Sequence, residues 1–268
     1  MIARHFLKVP GVSRLLSRIP AMPAGVRVEY DLWNDPAYGY GVQSGARLAK
    51  TLGLPRITVM EWGIVQGDRT VQLERIAPVV SSHFGVDIDS AAFDTGKGLP
   101  PPVDYRDCPH VWDEGFYTTD IERVRSKVRS VQLNFGDVGS NIGDFLARPD
   151  TAPVGFVACN LDYYSLASTA LEALAAAPPE KRLPRIVILF DDMVYPERAC
   201  HNEWTGELRA MNEFNASHEH MKVAPLRWLR WMRSSPGPWH EMVHVLHDFS
   251  HPQYNVLVTP EGYRHRQM

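Results

Sequence analysis

Cysteine is scarce in this chain: three residues in 268, at positions 108, 159 and 200, odd in number, widely spaced and without a CxxC pair. That argues against a disulfide frame and for a reducing, cytoplasmic setting. An excess of one charge is also missing. Lys and Arg number 28 against 31 Asp and Glu, a formal net charge of −3, so no global field favours nucleic acid or an anionic membrane as partner. No apolar run approaches the roughly 20 residues that span a bilayer. There is no internal repeat and no low-complexity linker. What remains is ordinary globular composition, 44% apolar and 22% charged, in a chain long enough for one large core.

Acids are absent from residues 1–28, which carry Arg4, Lys8, Arg14, Arg18 and Arg27. An Arg-rich, acid-poor start can be an organelle transit peptide. With little Ser, no long apolar segment, and Pro10 and Pro20 interrupting it, the stretch reads instead as an N-terminal arm. We place that arm or helical extension at 1–37 and a single α/β domain at 38–268.

Within that domain the pattern alternates. Tyr38 to Gly53 has Val42, Ala46, Leu48, Ala49 and Leu52 at helical spacing, and Gly53 and Pro55 stop it. Arg56 to Glu61 is a buried-strand pattern ending on a glycine-rich turn, and a helical stretch from about Arg69 to Ser82 follows. Further strands are predicted over 86–93, 130–135, 154–160 and 185–190, with helices over 121–129, 142–147 and 165–177. Strands alternating with helices predict a doubly wound, Rossmann-like, mostly parallel sheet covered on both faces. Met242 to Phe249 and Asn255 to Thr259 read as a closing antiparallel hairpin about Pro252.

Nearly every predicted strand ends in an acid: Glu61, Asp94, Asp137, Asp162 and Asp191. In open parallel sheets the ligand crevice lies beyond the carboxyl ends of the strands, so these acids should meet on one rim. Any one of them can also serve as a helix N-cap. The turn Glu61-Trp-Gly63-Ile-Val-Gln-Gly67 carries GxxxG rather than the nicotinamide GxGxxG. Its glycines permit a tight turn and close backbone approach. A carboxylate two places before the first glycine suits a cationic ligand, such as the amino group of a methionine moiety, and suits a pyrophosphate badly. Asp94 has the position to accept hydrogen bonds from ribose hydroxyls. A strand–turn–helix whose glycines serve only packing remains the other reading.

Four motifs in order then carry a resemblance: Glu61 to Gly67, Phe93-Asp-Thr-Gly-Lys-Gly-Leu-Pro100, Asp162-Tyr-Tyr-Ser165 and Phe190-Asp191-Asp192. Over about residues 38–200 the chain resembles class I S-adenosylmethionine-dependent methyltransferases, and among them the macrocin O-methyltransferase-like enzymes. The resemblance implies that Glu61, Gly63 and Gly67 hold the methionine part of S-adenosylmethionine. It implies that Asp94 holds the ribose and that Asp137 lies near the adenine. It implies Asp162 as general base and Asp191 and Asp192 as metal-binding acids. One departure stands out: an Asp-x-Asp of that family is Asn160-Leu161-Asp162 here.

Methyl transfer is an in-line displacement at a sulfonium carbon, helped by alignment and by removal of the acceptor's proton. An ordinary Asp, with a pKa of about 3.9, is too weak a base for an alcohol. Either a hard cation such as Mg²⁺, held by Asp162, Asp191 and Asp192, acidifies the hydroxyl, or burial and neighbouring acids strengthen the base. On this reading Asp162 and Asp191 are the catalytic acids and the partner is a small hydroxylated molecule. A homo-oligomer stays open.

Two rival readings accompany it. His240-Glu-Met-Val-His244 matches HExxH, the zinc-hydrolase spacing on a helix, with His247 and His251 beyond it. Prolines at 238 and 252 bound the segment, and Val243, Val245, Leu246 and Phe249 favour a strand, on which the four imidazoles split between faces. The second rival is a nucleoside-binding protein without catalysis. Leu226 to Arg233, with Trp228 and Trp231 among three arginines, reads as an amphipathic helix.

Overall fold

A computed structural model describes residues 15–16, 19, 22–194, 196–233 and 237–259. The first strand, β1 (Arg56–Trp62), is buried at every position after Arg56, as a strand covered on both faces must be. It lies at the centre of a seven-stranded sheet with β2 (Asp87–Asp94), β3 (Val131–Phe135), β4 (Val154–Cys159), β5 (Arg182–Phe190), β6 (Met221–Pro225) and β7 (Val243–Asp248). The order is β3-β2-β1-β4-β5-β7-β6. The first five strands run parallel, and β7 is antiparallel to both β5 and β6. The chain order reverses between β1 and β4, and that switch point is where an open sheet leaves a crevice.

Helices α1 (Ala24–Tyr30), α2 (Pro36–Thr51) and α3 (Asp68–Phe84) pack together on one face. The short α4 (Ile121–Lys127) precedes β3; α5 (Val138–Ala147), α6 (Tyr164–Ala176) and α7 (Gly206–Ser217) cover the other face. The helix predicted over 38–53 forms, starting two residues earlier. Asp35 accepts hydrogen bonds from the Ala37 and Tyr38 N–H groups, and Pro36 occupies the first turn, where its missing donor costs nothing. Val42, Ala46 and Ala49 are fully buried. Gly45 lets α2 lie directly on β4: a Cβ there would stand 2.7 Å from the Gly155 carbonyl oxygen.

Residues 24–35 are no loose arm. Val28 and Trp33 belong to the main core, and the buried Asp31 carboxylate pairs with Arg233. The reading of residues 1–14 as arm or transit peptide lies outside the described residues.

The closing hairpin is different from the one predicted. The partner of β7 is β6, and residues 255–259 form no strand. Both edges of β7 are already occupied, by β5 and by β6, so the chain after Asp248 has no ladder to join. It folds as turns against the sheet end, with the Tyr254 carbonyl accepting from Arg185 at 2.9 Å and His251 Nε2 within 3.0 Å of the Pro179 carbonyl. Helix α7 and strand β6 are additions to the predicted elements. The helix expected over 226–233 shrinks to α8 (Leu229–Met232), of whose segment only Leu229 is buried, while Trp228 and Trp231 are exposed.

Candidate active site

The carboxyl ends of β1, β2, β4 and β5 form one rim, and the turn after β1 is its tightest part. Gly63 has φ +89°, donates its N–H to the Phe93 carbonyl at 2.8 Å, and faces the Asn160 carbonyl so closely that a Cβ would lie 1.9 Å from that oxygen. Gly67, at φ +73°, opens α3. Asp94 binds the turn from the side: Oδ2 accepts from the N–H groups of Ile64 and Val65 at 2.7 and 3.2 Å, and Oδ1 from the Gly96 N–H and the Thr119 hydroxyl at 2.6 and 3.1 Å. A buried carboxylate with four donors is a strong tether, because each donor satisfies charge that water cannot reach. Gly63→Ala should therefore destabilise the fold by at least about 2 kcal/mol, combining a left-handed backbone with a backbone clash. Chemical denaturation measures it, and an unchanged midpoint refutes the close approach.

Glu61 is fully buried at the end of β1. Tyr38 donates its hydroxyl to Oε1 at 2.9 Å, and Oε2 has no hydrogen-bond partner among the described residues. Burial pushes its carboxyl up to about 7, against the lowering pull of the Thr70 and Tyr38 hydroxyls and the Arg69 guanidinium. A buried acid oxygen left unpaired is costly unless a ligand completes it.

A second group of acids surrounds the turns after β4 and β5. Asp162 adopts a left-handed backbone, φ +53°, and donates its N–H to Asp192 Oδ2 at 3.1 Å. Asp192 in turn donates its N–H to Glu207 Oε2, from the first turn of α7, at 3.1 Å. Asp191 is bound by the Arg69 guanidinium of α3. Burial, and then the Asp191 charge, pushes the Asp162 carboxyl up to about 7. Burial and the Asp162 charge raise Asp192 well above the carboxylate range, and burial with these neighbours pushes Glu207 up to about 8.

Two contiguous cavities open on this rim. The narrow one, of about 30 Å³, is bordered by Gly63, Asp94, Thr95, Gly98, Leu99 and Val138. The wider cleft, of about 370 Å³, is bordered by Glu61, Arg69, Asp191, Asp192 and Arg198. Val65, Tyr117, Asn160 and Asp162 line both. The sequence-predicted residues Glu61, Gly63, Asp94, Asp162, Asp191 and Asp192 thus converge. Asp137 does not join them: it is exposed and caps α5, accepting from the Ser140 N–H at 2.8 Å, and Val138 is the residue that reaches the narrow cavity.

Arg69, Tyr117 and Glu207 were not legible as site residues. Arg69 and Glu207 each sit one or two places into a helix whose N-terminus faces the rim, a position that strand-end reasoning overlooks. Tyr117 arrives on the long excursion after β2, which no periodicity describes; its hydroxyl accepts from Trp112 Nε1 at 3.2 Å.

The HExxH string forms no two-histidine helix face. Helix α9 (Trp239–Met242) ends after His240, and His244 lies on β7, its ring edge-on to Phe190 at 5.3 Å. Glu241 is exposed and lies 3.9 Å from Arg230. Among the described residues, no group of three or more His, Cys, Asp or Glu is arranged to hold a metal ion. No helix of the described residues is long and apolar enough to cross a membrane.

Strand order, the antiparallel β7 and the rim at the β1/β4 switch point together define a methyltransferase-like Rossmann fold. The structure is similar to CalS11, a calicheamicin methyltransferase, with a TM-score of 0.50 and 18% identity, covering 92% of this chain and 91% of that one. It is also similar to the O-methyltransferase NovP, with a TM-score of 0.47, 14% identity and coverage of 80% and 90%. For TomG of Streptomyces achromogenes, an O-methyltransferase of tomaymycin synthesis solved with S-adenosylmethionine, the values are 0.42, 15%, 88% and 94%. At these identities the likeness is one of fold. No protein-family model matches the chain, and no curated protein does.

Proposed function

We propose that the chain is an S-adenosylmethionine-dependent O-methyltransferase acting on a hydroxyl of a small molecule. The observation that carries this reading is Asp162, a buried acid bordering both cavities at the point where they meet. CalS11 is described as a TDP-rhamnose 3′-O-methyltransferase, and a sugar or natural-product hydroxyl is the acceptor class we assign here.

The residues fit the cofactor. The unpaired Glu61 Oε2 offers a buried carboxylate oxygen to the methionine ammonium, and the glycine turn leaves room for backbone contact. The ribose would lie on the Asp94 side of the narrow cavity and the adenine toward Val138 in place of Asp137, and the cavity would have to widen beyond its about 30 Å³ to admit them. When bound, S-adenosylmethionine supplies an electrophilic methyl group to an acceptor in the wider cleft. Asp162 takes the acceptor's proton as the oxygen attacks. Arg69 holds Asp191 beside it.

Calorimetry with S-adenosylhomocysteine, which keeps the ammonium, tests the cofactor assignment. One site per chain is expected. Glu61 is neutral below its pKa of about 7 and must ionise to pair with the ammonium. Affinity should therefore rise about tenfold per pH unit from pH 5 toward 7 and level off above. Glu61→Gln should flatten that profile. Absence of binding at every pH would discard the reading. A methyl-transfer assay over hydroxylated acceptors then separates an enzyme from a protein that only binds the nucleoside.

A further inference from the structure

We infer that this carboxylate rim works without a divalent cation, with the Arg69 guanidinium supplying the positive charge beside Asp191 and Asn160 withholding the negative charge that an ion would need. A hard dication asks for about six oxygens in near-octahedral array, several of them carboxylate. The residues do not supply that set. The guanidinium of Arg69 occupies Asp191 Oδ2, and it stays charged at every pH the fold survives. An ion drawn to Asp191 would have to displace that group or stand beside a like charge. Arg69 is fixed where it is by the first turn of α3, and Asp35 at the start of α2 lies near enough to feel both Arg69 and Asp191.

Asp192 is committed in another way. Its Oδ2 accepts the Asp162 N–H, and its own N–H is held by Glu207, so peptide groups set its position. Asn160 borders both cavities and brings a neutral amide to the spot where a third acid would count. The inference rests on the methyl-transfer reading only for what Asp162 then does; cation binding is a property of the rim itself.

The test is Mn²⁺ added to the full chain saturated with S-adenosylhomocysteine, with the free ion read by electron paramagnetic resonance. The wild-type chain should have no site tighter than about 1 mM, the weak end of protein oxygen sites. The double variant Arg69→Ala/Asn160→Asp should bind one Mn²⁺ per chain at least tenfold tighter. Asn160→Asp alone, which breaks no ion pair, is the fallback if the double variant does not fold, and it should show a smaller tightening of the same sign. A wild-type site of one Mn²⁺ per chain below 1 mM overturns the inference, as do folded variants that gain no site. Failure of S-adenosylhomocysteine to bind would instead remove the methyl-transfer reading and leave the Mn²⁺ result standing.

Discussion

Asp162→Asn should lower the rate of methyl transfer by about 10²–10⁴-fold, the range a general base contributes, while S-adenosylhomocysteine affinity changes less than about threefold. The substitution is nearly isosteric and removes only the ability to take a proton. The link from this residue to Asp192 runs through the Asp162 N–H, which Asn keeps. Asn also tolerates the left-handed backbone at φ +53° better than most residues other than glycine. Loss of one of several crowded, buried carboxyls should leave stability unchanged or raise it. Single-turnover measurement with saturating cofactor isolates the chemical step. A variant that transfers methyl at the wild-type rate would remove Asp162 from the mechanism and with it the observation on which the function is argued.

The parallel half of the fold was readable because its signals are local. Short, mostly apolar runs that lead into a turn with Gly or Asp mark β1, β2 and β4, and the period of α2 is visible in Val42, Ala46 and Ala49. The antiparallel edge was not. Met221 to Pro225 has Lys222 and a terminal proline and only Val223 buried, the profile of an edge strand, so it offers no alternation to read. With β6 hidden, Asn255 to Thr259 looked like the natural partner of β7. Pairing across some twenty residues is a tertiary fact, decided by which edge is free.

The site divides in the same way. The acids at the strand ends follow from topology alone, and topology could say that they converge. It could not say which would turn inward. Asp94 and Asp137 occupy equivalent places, at or just after the ends of neighbouring strands, yet Asp94 reaches across to the turn after β1 and Asp137 turns back onto α5. The difference lies in what stands opposite. Asp94 faces the unpaired N–H groups of Ile64 and Val65, whereas the free donors nearest Asp137 belong to its own helix. Arg69 shows a further limit. An arginine in the first turn of a helix is poorly placed for the helix dipole, and its value appears only when Asp191 is seen beside it.

Far from the rim, Asp248→Ala should destabilise the protein by about 3–5 kcal/mol, the cost of leaving a buried charge without its partner. Arg182, at the start of β5, gives Nε and Nη2 to Asp248 Oδ2 at 3.0 and 2.9 Å, and the two side chains are 4% and 0% exposed. The same guanidinium binds the carbonyls of Ala175 and Ala177 at the end of α6. Asp248 Oδ1 is taken by the Ser250 N–H and hydroxyl at 3.1 and 2.7 Å. One pair therefore ties β5, β7, the end of α6 and the turn after β7. Removing the carboxylate leaves a guanidinium that is only 4% exposed without its counter-charge. For a chain of this size the loss amounts to a fall of roughly 10 °C in melting temperature. Arg182→Met/Asp248→Leu should recover most of it, because two apolar groups need no mutual neutralisation. Both variants should bind S-adenosylhomocysteine as the wild type does at temperatures where they are folded, since neither residue borders the cavities. A single variant that melts within 2 °C of wild type would show that water or a rearranged Ser250 replaces the lost carboxylate, and that the pair adds position rather than stability.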